Sequence, residues 1–140
     1  MTTLSTRVAI AAAIAALAAA AVAVTPGLAG GPRDAIIASY AAKAGKPLSA
    51  ERGRQFFMGT HQGGKPDINS CTVCHTRNLK GPGRTRAGKP IDPMAVSANP
   101  NRFTDPKKVE KWFRRNCKTV LGRECTPLEK GDVLTFLSSI

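Results

Sequence analysis

The run Cys71-Thr72-Val73-Cys74-His75 constrains this chain of 140 residues more than any other feature. Two thiols three positions apart, with an imidazole directly after, form the C-x-x-C-H pattern that attaches a haem covalently. The thiols of Cys71 and Cys74 take the porphyrin vinyl groups, and His75 takes the iron. One covalent haem c per chain is therefore expected. Competing uses of the cysteines are weaker. A zinc centre would have to recruit Cys117 and Cys125 from more than forty residues away. A thioredoxin-like redox pair needs a preceding strand. Here Gly63-Gly64-Lys65-Pro66-Asp67 precedes the pair instead.

The start of the chain points to export. Residues 8–24 are alanine- and valine-rich and uncharged, with Arg7 before them and Pro26-Gly27-Leu28-Ala29 after. Small residues at Gly27 and Ala29 suit cleavage after Ala29. The run is short and weakly apolar for a retained membrane span. The expected organisation is a signal peptide over 1–29 and one domain over 30–140. An oxidising periplasm fits both the export signal and covalent haem attachment. The whole chain carries a formal charge of +12, and the leader removes only Arg7 from it. Such a charge favours acidic protein surfaces as partners. Nucleic acid is excluded as a partner, because the cations are dispersed and no binding motif accompanies them.

The remaining pattern is helical, so the expected class is all-α. A first helix is predicted from Asp34 to Ala44, ended by Gly45 and Pro47. Ser49 is predicted to cap a second helix that Gly59 ends, with Phe56 and Phe57 as core residues. Ser70 is predicted to cap a short helix carrying Cys71 to His75. Leu79 to Arg102 reads as a long irregular loop, ordered by wrapping a haem edge. Asp105-Pro106 opens a further helix. Its apolar stripe reads Val109, Trp112, Phe113, Asn116, with Trp112 taken as core. Thr126-Pro127-Leu128-Glu129 has capping-box spacing and opens the last helix.

The residue opposite His75 decides what the iron can do. Met94 would raise the potential and suit plain electron transfer. Its spacing from His75 carries no decisive weight, and it also reads as an apolar loop residue. Asn116 offers a hard carboxamide oxygen that tolerates ferric better than ferrous iron. It also reads as an ordinary core or helix-end asparagine. His61 is a further candidate, read mainly as a loop residue. Cys117 and Cys125, two further thiols in an oxidising compartment, favour a disulfide.

The ordered motifs resemble the sphaeroides haem protein family, class I monohaem cytochromes c that bind oxygen. The resemblance spans the chain after the leader. It rests on Glu51-Arg52-Gly53-Arg54, Gly63-Gly64-Lys65-Pro66-Asp67, Cys71 to His75, Arg102-Phe103-Thr104-Asp105 and Val109-Glu110-Lys111-Trp112. It is strongest at Arg115-Asn116-Cys117 and Gly122-Arg123-Glu124-Cys125-Thr126-Pro127. It implies a class I cytochrome c fold, His75 and Asn116 as iron ligands with Met94 as the alternative, and a Cys117–Cys125 disulfide. It further implies that Asn116 leaves on reduction, so that oxygen or nitric oxide binds. A dihaem cytochrome c and a membrane cytochrome b are the implied electron donors. No catalytic acid–base constellation is apparent, and electron transfer with ligand binding is favoured over turnover.

Overall fold

The computed structural model describes residues 30–140. The predicted leader and its cleavage point lie outside these residues. Five helices carry the fold. Helix α1 runs Pro32–Ala44, α2 Ala50–Met58, α3 Thr72–His75, α4 Pro106–Leu121 and α5 Pro127–Ser138. Among the described residues no helix is long and apolar enough to cross a membrane.

The predicted helix boundaries hold to within two residues because they rest on local capping chemistry. The Ser49 hydroxyl takes the Arg52 N–H at 3.2 Å. The Asp105 carboxylate takes the N–H groups of Lys107 and Lys108 at 2.9 and 3.1 Å. Thr126 and Glu129 close a reciprocal capping box at 3.2 and 2.7 Å. The first helix starts at Pro32 rather than Asp34, because proline suits the first helical position and Asp34 reaches back to the Gly31 N–H.

Helix α5 is the centre of the domain. Gly131 to Leu134, Phe136 and Leu137 are all buried, so it is enclosed on nearly every side. Helix α2 crosses it at Gly53, where an added Cβ would lie 2.0 Å from the Asp132 carbonyl oxygen. The buried Asp132 carboxylate at this crossing takes the Ser49 N–H at 2.6 Å and pairs with Arg52 through Nε and Nη2 at 2.7 and 3.0 Å. Two core clusters follow. Phe57, Leu79, Ala95, Val133, Phe136 and Leu137 form one, and Ile36, Tyr40, Val109 and Leu134 form the other. Phe113 of α4 packs against both.

Two expectations are corrected. The buried stripe of α4 is Val109, Cys117 and Val120, with Phe113 half-buried. Trp112 is 50% exposed in its protein surroundings and joins neither protein core cluster, although a place beside a porphyrin edge is also open to it. Asn116 lies on the same exposed side. The helix is turned so that Cys117 takes the inward position, because the disulfide sulfur is the more apolar group.

The segment from Leu79 to Arg102 is mostly irregular, as expected, and backbone bonds within it and to the end of α5 hold it in place. It holds a two-strand antiparallel ladder, β1 Gly83–Arg84 and β2 Pro90–Ile91, with Gly83 opposite Ile91. The Leu79 carbonyl takes the N–H groups of both Met94 and Ala95, at 3.0 and 2.9 Å. Val96 and Ser97 donate to the Leu137 and Ile140 carbonyls, covering the end of α5. These bonds satisfy backbone groups that an isolated loop would leave to water.

Candidate haem site

Helix α3, with Cys71 as its N-cap, places Cys71, Cys74 and His75 on one turn. It is nucleated by Ser70, whose buried hydroxyl takes the Thr72 N–H at 3.3 Å, while the Ser70 carbonyl takes the Val73 N–H. Strand β1 fixes its height. An added Cβ at Gly83 would lie 2.4 Å from the Cys74 carbonyl oxygen and 3.0 Å from the His75 Cα, so only glycine allows this approach. The His75 ring lies 5.8 Å from the Phe57 ring. Cys71 packs against the cluster of Phe57, Leu79 and Ala95.

The donor set fits a covalent haem. Cys71 and Cys74 are free thiols. Burial pushes the Cys71 thiol up to about 11. Burial, helped by the positive charge of Arg102, pushes the His75 imidazole down to about 4. The ring is therefore neutral and keeps a free lone pair. Its buried Nδ1 has no hydrogen-bond partner among the described residues. Cys117 and Cys125 form a disulfide, with Cα atoms 5.6 Å apart, and so cannot complete a zinc site. Among the described residues no group of three or more His, Cys, Asp or Glu side chains is arranged to hold a metal ion.

The three candidates for the opposite ligand are placed differently. Met94 is half-buried against the Phe57–Leu79–Ala95 cluster, and its N–H is tied to Leu79, four residues past His75. Arg102 anchors the preceding residues. It donates from Nε to the Pro93 carbonyl at 2.9 Å and from Nη2 to the Asp92 carbonyl at 2.6 Å. This same guanidinium bears on His75, so Arg102 links the Met94 loop to the Cys71–His75 turn. His61 is not a plain surface residue. Its Nε2 is 2.7 Å from the Phe56 carbonyl oxygen, and its ring lies 4.7 Å from the Phe56 ring. One ring nitrogen is thus already committed to α2.

Asn116 is uncommitted. It is exposed, and its carboxamide makes no side-chain hydrogen bond among the described residues. Its position along α4 is nevertheless fixed. The next residue, Cys117, is buried and tied to Cys125. The loop that leads into the attachment segment clamps the end of the same helix. Lys65 donates to the Thr119 carbonyl at 2.8 Å. Gly64 lies so close that an added Cβ would be 2.3 Å from the Thr119 oxygen. Gly122 meets Gly63 in the same way, with an added Cβ 1.9 Å from the Gly63 oxygen. Sequence reasoning missed this clamp and the role of Arg102. Neither close backbone approach nor a guanidinium spent on carbonyls leaves a periodic signal.

Comparison with known proteins finds relatives over most of the chain. A protein-family model described as a domain of unknown function (DUF1924) matches residues 43–137. The cytochrome c-type protein SHP of Cereibacter sphaeroides is 52% identical over 124 residues, which are 88% of this chain and 96% of that protein. The solved structure of oxidized SHP, described as an oxygen binding cytochrome c, aligns with a TM-score of 0.75 at 53% identity. It covers 78% of this chain and 96% of its own. The crystal structure of oxidized cytochrome c'' from Methylophilus methylotrophus aligns with a TM-score of 0.63 at 31% identity, over 76% of this chain and 92% of its own.

Proposed function

Because this chain belongs to the family of the cytochrome c-type protein SHP, and is a c-type cytochrome carrying covalent haem c, we propose that it accepts electrons in the periplasm and binds a diatomic ligand once reduced. When bound, the haem would supply a one-electron couple and a place for a small ligand. Cys71 and Cys74 hold it, and the neutral His75 imidazole is its proximal ligand. Asn116 provides the distal oxygen to ferric iron. That carboxamide is neutral and hard, so it holds ferrous iron poorly and leaves on reduction. Departure of Asn116 would leave room for oxygen or nitric oxide, which is consistent with SHP being described as oxygen binding.

The observation that carries this reading is the contrast between Asn116 and Met94. Asn116 presents an unpaired carboxamide on a helix held from two directions. Met94 packs against the Phe57–Leu79–Ala95 cluster, in a loop tied down through Leu79 and Arg102. Dihaem cytochrome c and a membrane cytochrome b are the proposed electron donors. The second reading is a conventional electron carrier with His75 and Met94 ligation and no gas binding.

Optical and magnetic circular dichroism spectra in both oxidation states separate the two. Asn116→Ala is expected to change the ferric spectrum and leave the five-coordinate ferrous form intact, whereas Met94→Ala is expected to change neither coordination state. A low-spin ferrous spectrum that disappears only in Met94→Ala would establish the conventional reading instead.

A further inference from the structure

Helix α4 carries two stripes of the same spacing on opposite sides. Val109, Phe113, Cys117 and Val120 face the core. Lys107, Lys111, Arg115 and Lys118 repeat that spacing two residues earlier, and all four are exposed. A shift of two residues turns the helix by about 200°, so the cations project almost directly away from the core. Lys108 and Arg114 flank them and are exposed as well.

Little acid balances this face. Glu110, the one acidic residue of α4, is drawn to the other side, where it accepts from the Tyr40 hydroxyl at 2.7 Å and from Lys130 at 2.8 Å. Lys108 and Lys118 make only long, exposed pairs, at 4.0 Å with Asp105 and 3.9 Å with Glu124. Lys107, Lys111, Arg114 and Arg115 have no acidic partner among the described residues. Like charges this close on one helix repel, so the face is held at a cost that folding alone does not explain. Trp112 borders the stripe, with Lys111 Nζ 5.6 Å and Arg115 Cζ 5.2 Å from its ring centre. Asn116 lies one turn further along the same edge.

We infer that the outer face of α4 is the docking surface for a soluble acidic one-electron donor protein. The inference rests on the reading that α4 covers the distal side of the iron, since docking there brings the donor to the helix that carries Asn116. One electron passes from the reduced donor to this chain, and the donor leaves oxidised. The stripe runs about 16 Å along the helix axis. That length suits the small, transient interfaces of redox partners. An acidic protein fits better than a membrane. An interfacial helix must bury an apolar face in lipid, and the apolar face of α4 is already spent on the core.

Stopped-flow reduction of the ferric holoprotein by flavodoxin hydroquinone, an acidic probe donor, tests the assignment. The charge-reversed variant Lys107→Glu/Lys111→Glu/Arg115→Glu is compared with Lys46→Glu/Lys80→Glu/Lys89→Glu, which makes the same charge change elsewhere on the exposed surface. The α4 variant is expected to lose at least tenfold in second-order rate constant at low salt, and the control under threefold. Reduction by neutral lumiflavin semiquinone, generated by flash photolysis, should stay within twofold in both. Equal losses in the two variants would reduce the effect to net charge and overturn the assignment. So would parent-protein binding to phosphatidylglycerol vesicles that the α4 variant abolishes while its flavodoxin rate is unchanged. If the triple variant fails to fold, Lys111→Gln and Arg115→Gln, which are milder, are read in the same way. An unchanged ferric spectrum in Asn116→Ala would remove the ligand reading and leave the docking result standing.

Discussion

Replacing Gly64 by alanine tests whether the loop before the attachment segment sets the position of α4. The new Cβ would lie 2.3 Å from the Thr119 carbonyl oxygen, 2.4 Å from the Val120 carbonyl carbon and 2.5 Å from the Val120 oxygen. All three are helix backbone and cannot rotate away. Carbon–oxygen contacts settle near ~3.3 Å, so loop and helix must part by roughly 1 Å. The bond from Lys65 to the Thr119 carbonyl, now 2.8 Å, then exceeds hydrogen-bonding range. Overpacking costs about 1–3 kcal/mol, and the lost bond adds about 0.5–1.5 kcal/mol. For a domain of this size the melting temperature should fall by roughly 10–20 °C. Thermal unfolding of the holoprotein, followed by circular dichroism, measures it. Gly88→Ala isolates backbone strain, because Gly88 has φ +78° and nothing within 4 Å of its added Cβ. It should cost only about 1 kcal/mol. Thr119 lies within a turn of Asn116, so Gly64→Ala should also lower the fraction of ferric protein with a sixth ligand. A Gly64→Ala protein melting within about 2 °C of the parent, with an unchanged ferric spectrum, would refute the clamp.

Three further perturbations have defined outcomes. Cys117→Ser/Cys125→Ser opens a loop with a sequence separation of 8. It should cost about 2.5 kcal/mol in denaturant unfolding. Arg102→Gln removes a cation that bears on His75 and anchors the Pro93 carbonyl. A nearby positive charge favours the ferrous over the ferric form, so potentiometric titration should show a lower reduction potential, whereas Arg102→Lys should keep most of it. Glu129 titrates below its usual 4.5, because the Arg123 guanidinium hydrogen-bonds its carboxylate and outweighs desolvation. A depressed carboxylate stabilises the fold above its unfolded value and loses that contribution as pH falls through its folded value. Glu129→Gln should therefore flatten the acid limb of the stability curve below about pH 4.5 and lower stability at neutral pH.

The helix starts were legible because their chemistry is local. Ser49, Asp105-Pro106 and the Thr126/Glu129 pair each satisfy N–H groups within three residues of themselves. The Cys71-Thr72-Val73-Cys74-His75 run stood out because covalent haem attachment demands that fixed spacing. The orientation of α4 was not. Val109-Trp112-Phe113-Asn116 and Val109-Phe113-Cys117-Val120 are both admissible helical stripes. Tertiary contacts decide between them, when the Cys125 partner draws Cys117 inward and Tyr40 packs edge-on against Phe113. The order of the long loop was equally hidden. It depends on carbonyls of Leu79, Leu137 and Ile140 and on the reach of Arg102, none of which has a sequence period. Gly53, Gly64 and Gly83 read as small residues in the sequence, but each marks a place where two backbones touch.

The two proposed ligands, His75 and Asn116, are held by different means, and that difference bears on the proposed ligand exchange. His75 sits on a turn fixed by Gly83 beneath it, by Phe57 beside it and by the Leu79–Ala95 bonds after it. Moving it would disturb the main core. Asn116 has no such ties on its own side chain, and only the helix around it is pinned. A neutral carboxamide binds iron weakly, so it can serve as a ligand only if little entropy remains to be lost on binding. The disulfide and the glycine clamp fix the backbone in advance and leave only side-chain torsions to settle. The same arrangement makes release inexpensive. The side chain can rotate into solvent without breaking a hydrogen bond or moving α4, so reduction need supply only the difference in oxygen affinity between ferric and ferrous iron. A methionine packed into the core cluster, as Met94 is, would have to give up buried surface to exchange in the same way.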